Sequence, residues 1–325
     1  MASKTIETVE IHDTHNDVKA TIPIGIVEGA KPGKTLGVVG GVHGTEYAAH
    51  DAVVQFWDSL DPANVSGSVL VVLTADTTAL THKSAYLNPV DGKNLNRVWP
   101  GDPSGTLTEI IAHEITSRVV QKSDAVIDVH GGEWDEAISM FIITHSVGDE
   151  DLDRRTVDLA IASGFPFIEV TDARGPILGK GTGSSAAMLS GVPAMTFEAG
   201  GEGLRERRYI EAHVQGLQNI ARYMGIIPGD LTTWAGIPAV LDHGILMKTT
   251  VGGLVRPAVE VGDWIAEGQL FSEILGYDGT VLEQLLAPEA GSVIDVITAR
   301  GIKAGAFAGK IAVCTRRDVG QSHGG

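Results

Sequence analysis

The chain has 325 residues, 43% hydrophobic and 20% charged, proportions that exclude a fibrous or disordered chain and fit a globular protein longer than one typical domain. Lysine and arginine number 24 against 41 aspartates and glutamates, a net charge of −17, and so acidic a surface excludes phosphate backbones and anionic membranes as partners. A single cysteine, Cys314, excludes an intrachain disulfide and a thiolate metal site.

The first residues, Met1 to Glu7, place no apolar run behind Lys4, so no signal peptide is expected there. No stretch approaches the roughly 20 apolar residues of a membrane span. These features predict a soluble, cytoplasmic protein.

From residue 35 onward, apolar segments rich in β-branched residues alternate with longer amphipathic ones. Strands are expected at 36–42, 69–74, 125–129, 138–144, 167–170 and 194–197, with helices at 47–60, 107–120, 152–163, 183–189 and 207–223. That alternation predicts an α/β domain, a mixed sheet flanked by helices on both faces. The stretch 225–230 reads as a boundary, giving a catalytic domain over 1–228 and a second domain over 229–325. Beyond the boundary, short β-type runs are punctuated by turn signals at Gly252-Gly253, Gly262-Asp263, Asp278-Gly279 and Ala290-Gly291, the pattern of a small β-barrel or sandwich. The polar, glycine-rich tail over 316–325 is expected to be disordered.

The sharpest local feature is Gly40-Gly41-Val42-His43-Gly44-Thr45-Glu46. A buried strand is expected to end at His43 and a helix to begin near Thr45, so His43 and Glu46 reach one point across a turn that Gly44 makes sharp. A second strand is expected to end at Asp128-Val129-His130. A His-x-x-Glu by itself is an ordinary strand-end pattern. Two histidines at strand ends, each beside glycine, with one glutamate form a catalytic zinc set that leaves a position open for water. Asp128 alternates with His130 along its strand and is placed to orient a ligand imidazole.

Taken with Asp91-Gly92-Lys93-Asn94-Leu95-Asn96-Arg97-Val98-Trp99-Pro100-Gly101 and with the 191–201 run Gly-Val-Pro-Ala-Met-Thr-Phe-Glu-Ala-Gly-Gly, these motifs give a sequence that resembles the succinylglutamate desuccinylase/aspartoacylase family, a branch of the zinc carboxypeptidase superfamily. The resemblance runs over nearly the whole chain. It implies a zinc-carboxypeptidase-like fold with a C-terminal β-domain of biotinyl/lipoyl type. It also implies one Zn²⁺ per chain, held by His43, Glu46 and His130. By the same resemblance Asn96 and Arg97 hold a substrate carboxylate and Glu198 is the catalytic carboxylate; by position Glu202, past the glycines, is its main rival. The chemistry of these side chains agrees: a guanidinium fork suits a carboxylate, and a strand-end glutamate beside a divalent cation suits proton transfer. The family's carbonyl-polarising arginine has no counterpart here. Thr81-His82-Lys83-Ser84-Ala85-Tyr86 stands in that stretch, and Lys83, or else His82, is expected to substitute.

The function so implied is zinc-dependent removal of an acetyl or succinyl group from a small N-acyl amino acid, the protein's expected partner. Two other readings stand beside it, a carboxypeptidase acting on small peptides and a carrier module built on the C-terminal domain. The carrier reading requires a lysine at the tip of a central hairpin, and Ile274-Leu275-Gly276-Tyr277-Asp278-Gly279 has none. Oligomeric state is left open, a homo-oligomer included. Glu133, Asp135 and Glu136 are expected in a solvated loop, His50, His113 and His145 in packing or surface positions, and Arg174 and Lys180 on a surface loop.

Overall fold

The computed structural model describes residues 2–176, 179–232 and 238–314. The N-terminal strands β1 (Ser3–Asp13) and β2 (Val18–Glu28) pair as a long antiparallel hairpin. The α/β alternation follows: β3 (Lys31–Gly40), α1 (Tyr47–Ser59), β4 (Ser66–Val72), α2 (Thr77–His82), α3 (Leu107–Arg118), β5 (Ala125–His130), β6 (Glu136–Ser146), α4 (Glu150–Ser163), β7 (Phe167–Asp172), α5 (Gly183–Leu189), β8 (Ala194–Gly201) and α6 (Arg207–Tyr223). The hairpin had no counterpart in the sequence reading. Its first strand is charged and mostly exposed, and only Val9, Ile11 and Asp13 near its end are buried, so no apolar run marks it.

The central strands lie in the order β1-β2-β4-β3-β5-β8-β6, with β3, β5 and β8 parallel. All six residues of β5 are buried, as expected of a strand covered on both faces. On one face α1 and α6 pack together; Ala52, Val53 and Phe56 join Leu217, Ile220 and Ala221 in one core. In α1 these fall at helical spacing, which is why this segment forms an amphipathic helix. On the other face Leu107, Ile111 and Ile115 of α3 and Ala187 and Met188 of α5 pack with Ile22 and Ile24 of the hairpin. This is the mixed α/β sheet expected from the sequence.

Strand β9 (Ala239–Val240) is a short edge that pairs with β7 in parallel. The strands that follow, β10 (His243–Lys248), β11 (Gly253–Pro257), β12 (Trp264–Ile265), β13 (Leu270–Leu275), β14 (Val281–Leu286), β15 (Gly291–Ile297), β16 (Gly301–Ile302) and β17 (Phe307–Val313), pair antiparallel. Four strands form a separate sheet in the order β14-β13-β11-β16, and Phe271, Ile274, Val293 and Ile311 fill the space beneath it. Strand β15 pairs with β6, Asp295 opposite Ile138 and Ile297 opposite Glu136, so the C-terminal β-region continues the central sheet through main-chain hydrogen bonds. The expected disordered tail lies outside the described residues.

Candidate active site

The expected strand end at His43 moves upstream. Strand β3 stops at Gly40, because Gly41 takes φ +68° and Gly40 and Gly41 turn their carbonyls to the amides of Ala75 and Asp76. Residues 41–46 form a tight loop over the carboxyl end of the sheet. Gly44 is required there: a β-carbon would fall 2.3 Å from the Ala79 carbonyl oxygen. The loop carries His43 and Glu46 toward His130, the last residue of β5, and all three are buried. One donor atom from each of the three lies within 4.8 Å of the others.

The surroundings fix how these donors are used. Nδ1 of His43 lies 2.6 Å from Glu46 Oε1, and its Nε2 lies 3.1 Å from Asn94 Oδ1. Nδ1 of His130 lies 3.0 Å from Glu46 Oε2, and its Nε2 lies 3.1 Å from Asp128 Oδ2. A neutral imidazole carries one N–H, so an oxygen at both nitrogens calls for an imidazolium or for a cation at one of them. Two buried imidazolium rings with centroids 5.0 Å apart would repel. With each Nε2–H directed outward to Asn94 or Asp128, both Nδ1 lone pairs and the Glu46 carboxylate converge on one point. That is a donor set suited to a zinc-type divalent cation, with Asn94 and Asp128 beside the outer nitrogens. Burial alone would raise the Glu46 pKa; His130 and His43 outweigh it and hold the carboxyl down to about 2.

A cavity of about 400 Å³ opens beside this cluster. Glu198 lines it from β8, in register with His130 on the adjacent strand. Burial raises its carboxyl well above the ordinary value, with Glu46, Glu136 and Asp128 adding to the shift and His130 opposing it. A carboxyl shifted in this direction takes up a proton more readily than an exposed one, as an acid–base group requires. Glu202 sits beyond the glycines with φ +58° and is not among the lining residues.

Asn96 and Arg97 line the cavity from a single 3₁₀ turn, Leu95–Arg97. Asn96 Oδ1 accepts from the amide of Gly183 at 2.9 Å, so the group left to offer a ligand is its NH₂. Arg97 Nη1 donates to the Asn96 carbonyl at 2.6 Å, which steadies the guanidinium. The Arg97 backbone packs on Gly181, whose φ of +80° and lack of a β-carbon permit the contact.

Lys83 is not brought to the site. It caps α2 in the left-handed conformation, φ 54°, with its side chain exposed, and neither it nor His82 lines the cavity. The turn that follows carries Tyr86 inward instead, with its ring edge-on to His43 at 5.9 Å.

The acids after His130 are also placed differently from the expected solvated loop. Glu133 is fully buried and Glu136 nearly so, while Glu133 accepts hydrogen bonds from the Thr45 hydroxyl and from the Tyr86 amide. These contacts tie the ligand loop and the Tyr86 turn together, which is why the acids fold inward. His145 is a packing residue as expected, hydrogen-bonded to Thr171 and Ser184 at 2.9 Å each. Arg174 and Lys180 are exposed.

The sequence reading also missed the wall supplied from far along the chain, where Leu246, Lys248, Asp295, Phe307 and Lys310 all line the cavity. Among the described residues, no helix is long and apolar enough to cross a membrane.

Comparison with known proteins identifies the family and the fold. The model of the succinylglutamate desuccinylase/aspartoacylase catalytic domain matches residues 32–224. The N-alpha-acetyl-L-2,4-diaminobutyric acid deacetylase of Halomonas elongata is 30% identical over 268 residues, covering 80% of this chain and 75% of that protein. Among solved structures, a succinylglutamate desuccinylase/aspartoacylase from Rhodobacter sphaeroides superposes with a TM-score of 0.85 at 24% identity, covering 97% of this chain and 96% of that one. The product-bound ectoine utilization protein EutE (DoeB) from Ruegeria pomeroyi superposes with a TM-score of 0.86 at 22% identity, covering 96% and 95%. At these identities the two structures bear on the fold.

Proposed function

The chain belongs to the succinylglutamate desuccinylase/aspartoacylase family, and we propose on that premise that it hydrolyses the amide bond of a small N-acyl amino acid with the aid of one divalent metal ion. The observation that carries this reading is the convergence of His43, Glu46 and His130 beside Glu198 in one small cavity. The family's zinc is the ion that this nitrogen and carboxylate set favours. When bound by His43, Glu46 and His130, it supplies Lewis acidity, polarising an acyl oxygen and bringing the pKa of a water toward about 7.

The chain's own residues do the rest. Glu198 takes a proton from the attacking water as the carbon–oxygen bond forms. It delivers that proton to the leaving nitrogen as the amide bond breaks, so the products are a carboxylic acid and a free amine. Arg97 pairs with the substrate carboxylate, and Asn96 adds its NH₂. Tyr86, in place of Lys83, is the side chain set to border the acyl oxygen, because it lines the cavity against His43. The wall of Leu246, Phe307 and Lys310 favours a small substrate over a peptide.

The acyl group to test first is acetyl, the group removed by the Halomonas relative. A hydrolysis screen with zinc supplied, across N-acetyl, N-succinyl and N-formyl amino acids and C-terminal dipeptides, decides the reading. Release of amine from N-acyl amino acids supports it. Cleavage of the dipeptides alone would replace it with the carboxypeptidase.

A further inference from the structure

Among the described residues, four buried polar atoms without a directed hydrogen bond gather beside the metal-ligand cluster: Nε1 of Trp99, both carboxylate oxygens of Asp128 and Nε2 of His130. Trp99 is 6% exposed, and Asp128 and His130 are 2% exposed each. His130 Nε2 stands 3.1 Å from Asp128 Oδ2 without being aligned with it. Gly183 joins Trp99 to the set. A β-carbon there would lie 2.9 Å from Asp128 Oδ2 and 3.5 Å from Trp99 Nε1, so the indole N–H and the carboxylate border the same point.

The four atoms are chemically complementary. An indole offers one N–H and accepts nothing. With Nδ1 of His130 turned to the metal, its Nε2 carries the proton and is a second donor. Asp128 has two acceptor oxygens. One oxygen for each N–H leaves no orphan, which is how folded proteins treat buried polar groups. The nearby amide of Gly183 is not a rival donor, because it is given to Asn96 Oδ1 at 2.9 Å.

We propose that Trp99 is a positioning residue for the metal site: its indole N–H holds one oxygen of Asp128 and leaves the other for His130 Nε2. A carboxylate held at both oxygens has one orientation, and so does the imidazole it receives. Trp99 does not line the active-site cavity, so it acts through Asp128. It lies two residues past Arg97, and its amide donates at 3.2 Å to the carbonyl of Gly181, the residue on which the Arg97 backbone packs. The segment that presents Asn96 and Arg97 to the substrate thereby also steadies a metal ligand. The inference rests on the metal-dependent reading of the site.

The test is zinc affinity, measured against a competing chelator for full-length wild type, Trp99→Phe, Asp128→Asn and the double variant. Phenylalanine keeps an aromatic ring and removes the N–H. Trp99→Phe should weaken zinc binding about 10-fold. In the Asp128→Asn background the same change should cost less than about twofold, because its route to the metal is already broken. Wild-type affinity in Trp99→Phe would overturn the proposal. An equal loss in both backgrounds would make Trp99 a packing residue and also overturn it. A second measurement keeps Trp99 in place and so stands even if Trp99→Phe folds poorly. The chain has five tryptophans, and NMR of protein carrying isotope-labelled tryptophan resolves their indole N–H signals. The one bonded to a carboxylate should lie downfield and move upfield in Asp128→Asn. Five signals unchanged by Asp128→Asn would overturn the assignment while leaving the metal reading in place. Failure of wild type to bind zinc, which involves no variant, would remove the metal reading and this proposal with it.

Discussion

His130 and Glu198 are register partners on the adjacent parallel strands β5 and β8. The hydrogen-bonded ladder of the sheet, rather than a surface loop, therefore sets the distance between a proposed metal ligand and the proposed proton carrier. Such placement keeps a catalytic group within a narrow range of geometry without an entropic cost at each turnover. Replacing Glu198 with glutamine preserves the shape and removes the proton transfer. Turnover by Glu198→Gln should fall about 10²–10⁴-fold while metal content is retained. Near-normal turnover with full metal would move the role to another acid.

The metal prediction concerns content and affinity. His43→Ala and His130→Ala should yield folded protein lacking the ion, because each removes a donor from a three-residue set. Asp128→Asn leaves the donors in place and weakens the acceptor 3.1 Å from His130 Nε2. Metal affinity in that variant should drop about 10–100-fold, the usual cost of losing an outer partner of a ligand histidine. Titration with zinc against a competing chelator measures both. An Asp128→Asn protein that binds zinc as tightly as wild type would show that the His130 ring is oriented by other contacts.

A third prediction concerns acid stability. His145 is buried on β6 between Thr171 and Ser184, and burial lowers its pKa from the ordinary 6.5 to about 4. Between those values the unfolded chain binds a proton that the folded chain does not, so folding stability rises with pH across that window and is lost as pH falls from about 6.5 toward 4. The contribution is on the order of a few kcal/mol. His145→Gln keeps a polar side chain and removes the titration, so its denaturation midpoint should depend less steeply on pH in that window. Parallel pH profiles for the variant and wild type would assign the acid sensitivity to other groups.

These residues also mark how far the sequence can be read. His43, Glu46 and His130 were legible because each lies at or just past the end of a continuous apolar run, and such runs are what a strand buried on both faces requires. Glu198 also ends such a run, but its role came from the family resemblance. Glu133 was not, because an acid after two glycines normally belongs to solvent; only the hydroxyl of Thr45 and the amide of Tyr86, brought near by folding, make it an interior group. Lys83 and Tyr86 lie in one stretch, and which of them turns inward is decided by a left-handed residue at a helix end, for which the sequence carries no glycine to signal it. Asp295 and Lys310 reach the cavity only because β15 pairs with β6. That pairing is non-local and leaves no trace in the periodicity of either strand.

The last prediction is that Arg97 reads a free substrate carboxylate. Arg97 lies on the same 3₁₀ turn as Asn96, and its guanidinium is steadied by the Asn96 carbonyl at 2.6 Å. In a protein of net charge −17, long-range electrostatics cannot recruit an acid, so a specific cation at the cavity must do so. Arg97→Ala should weaken transition-state binding of an N-acyl amino acid by on the order of 2–5 kcal/mol, since it leaves the substrate carboxylate unpaired. Arg97→Lys should recover little of that, because an ammonium cannot reproduce the planar two-donor fork. The discriminating measurement is kcat/KM for an N-acyl amino acid against its C-terminal amide, in wild type and in Arg97→Ala. Wild type should prefer the acid strongly, and Arg97→Ala should erase the preference by losing activity on the acid alone. Equal loss on both substrates would mean that Arg97 supports the shape of the cavity, and the carboxylate would then have to be bound by another lining cation, of which Lys248 is the one not paired with Glu169 as Lys310 is.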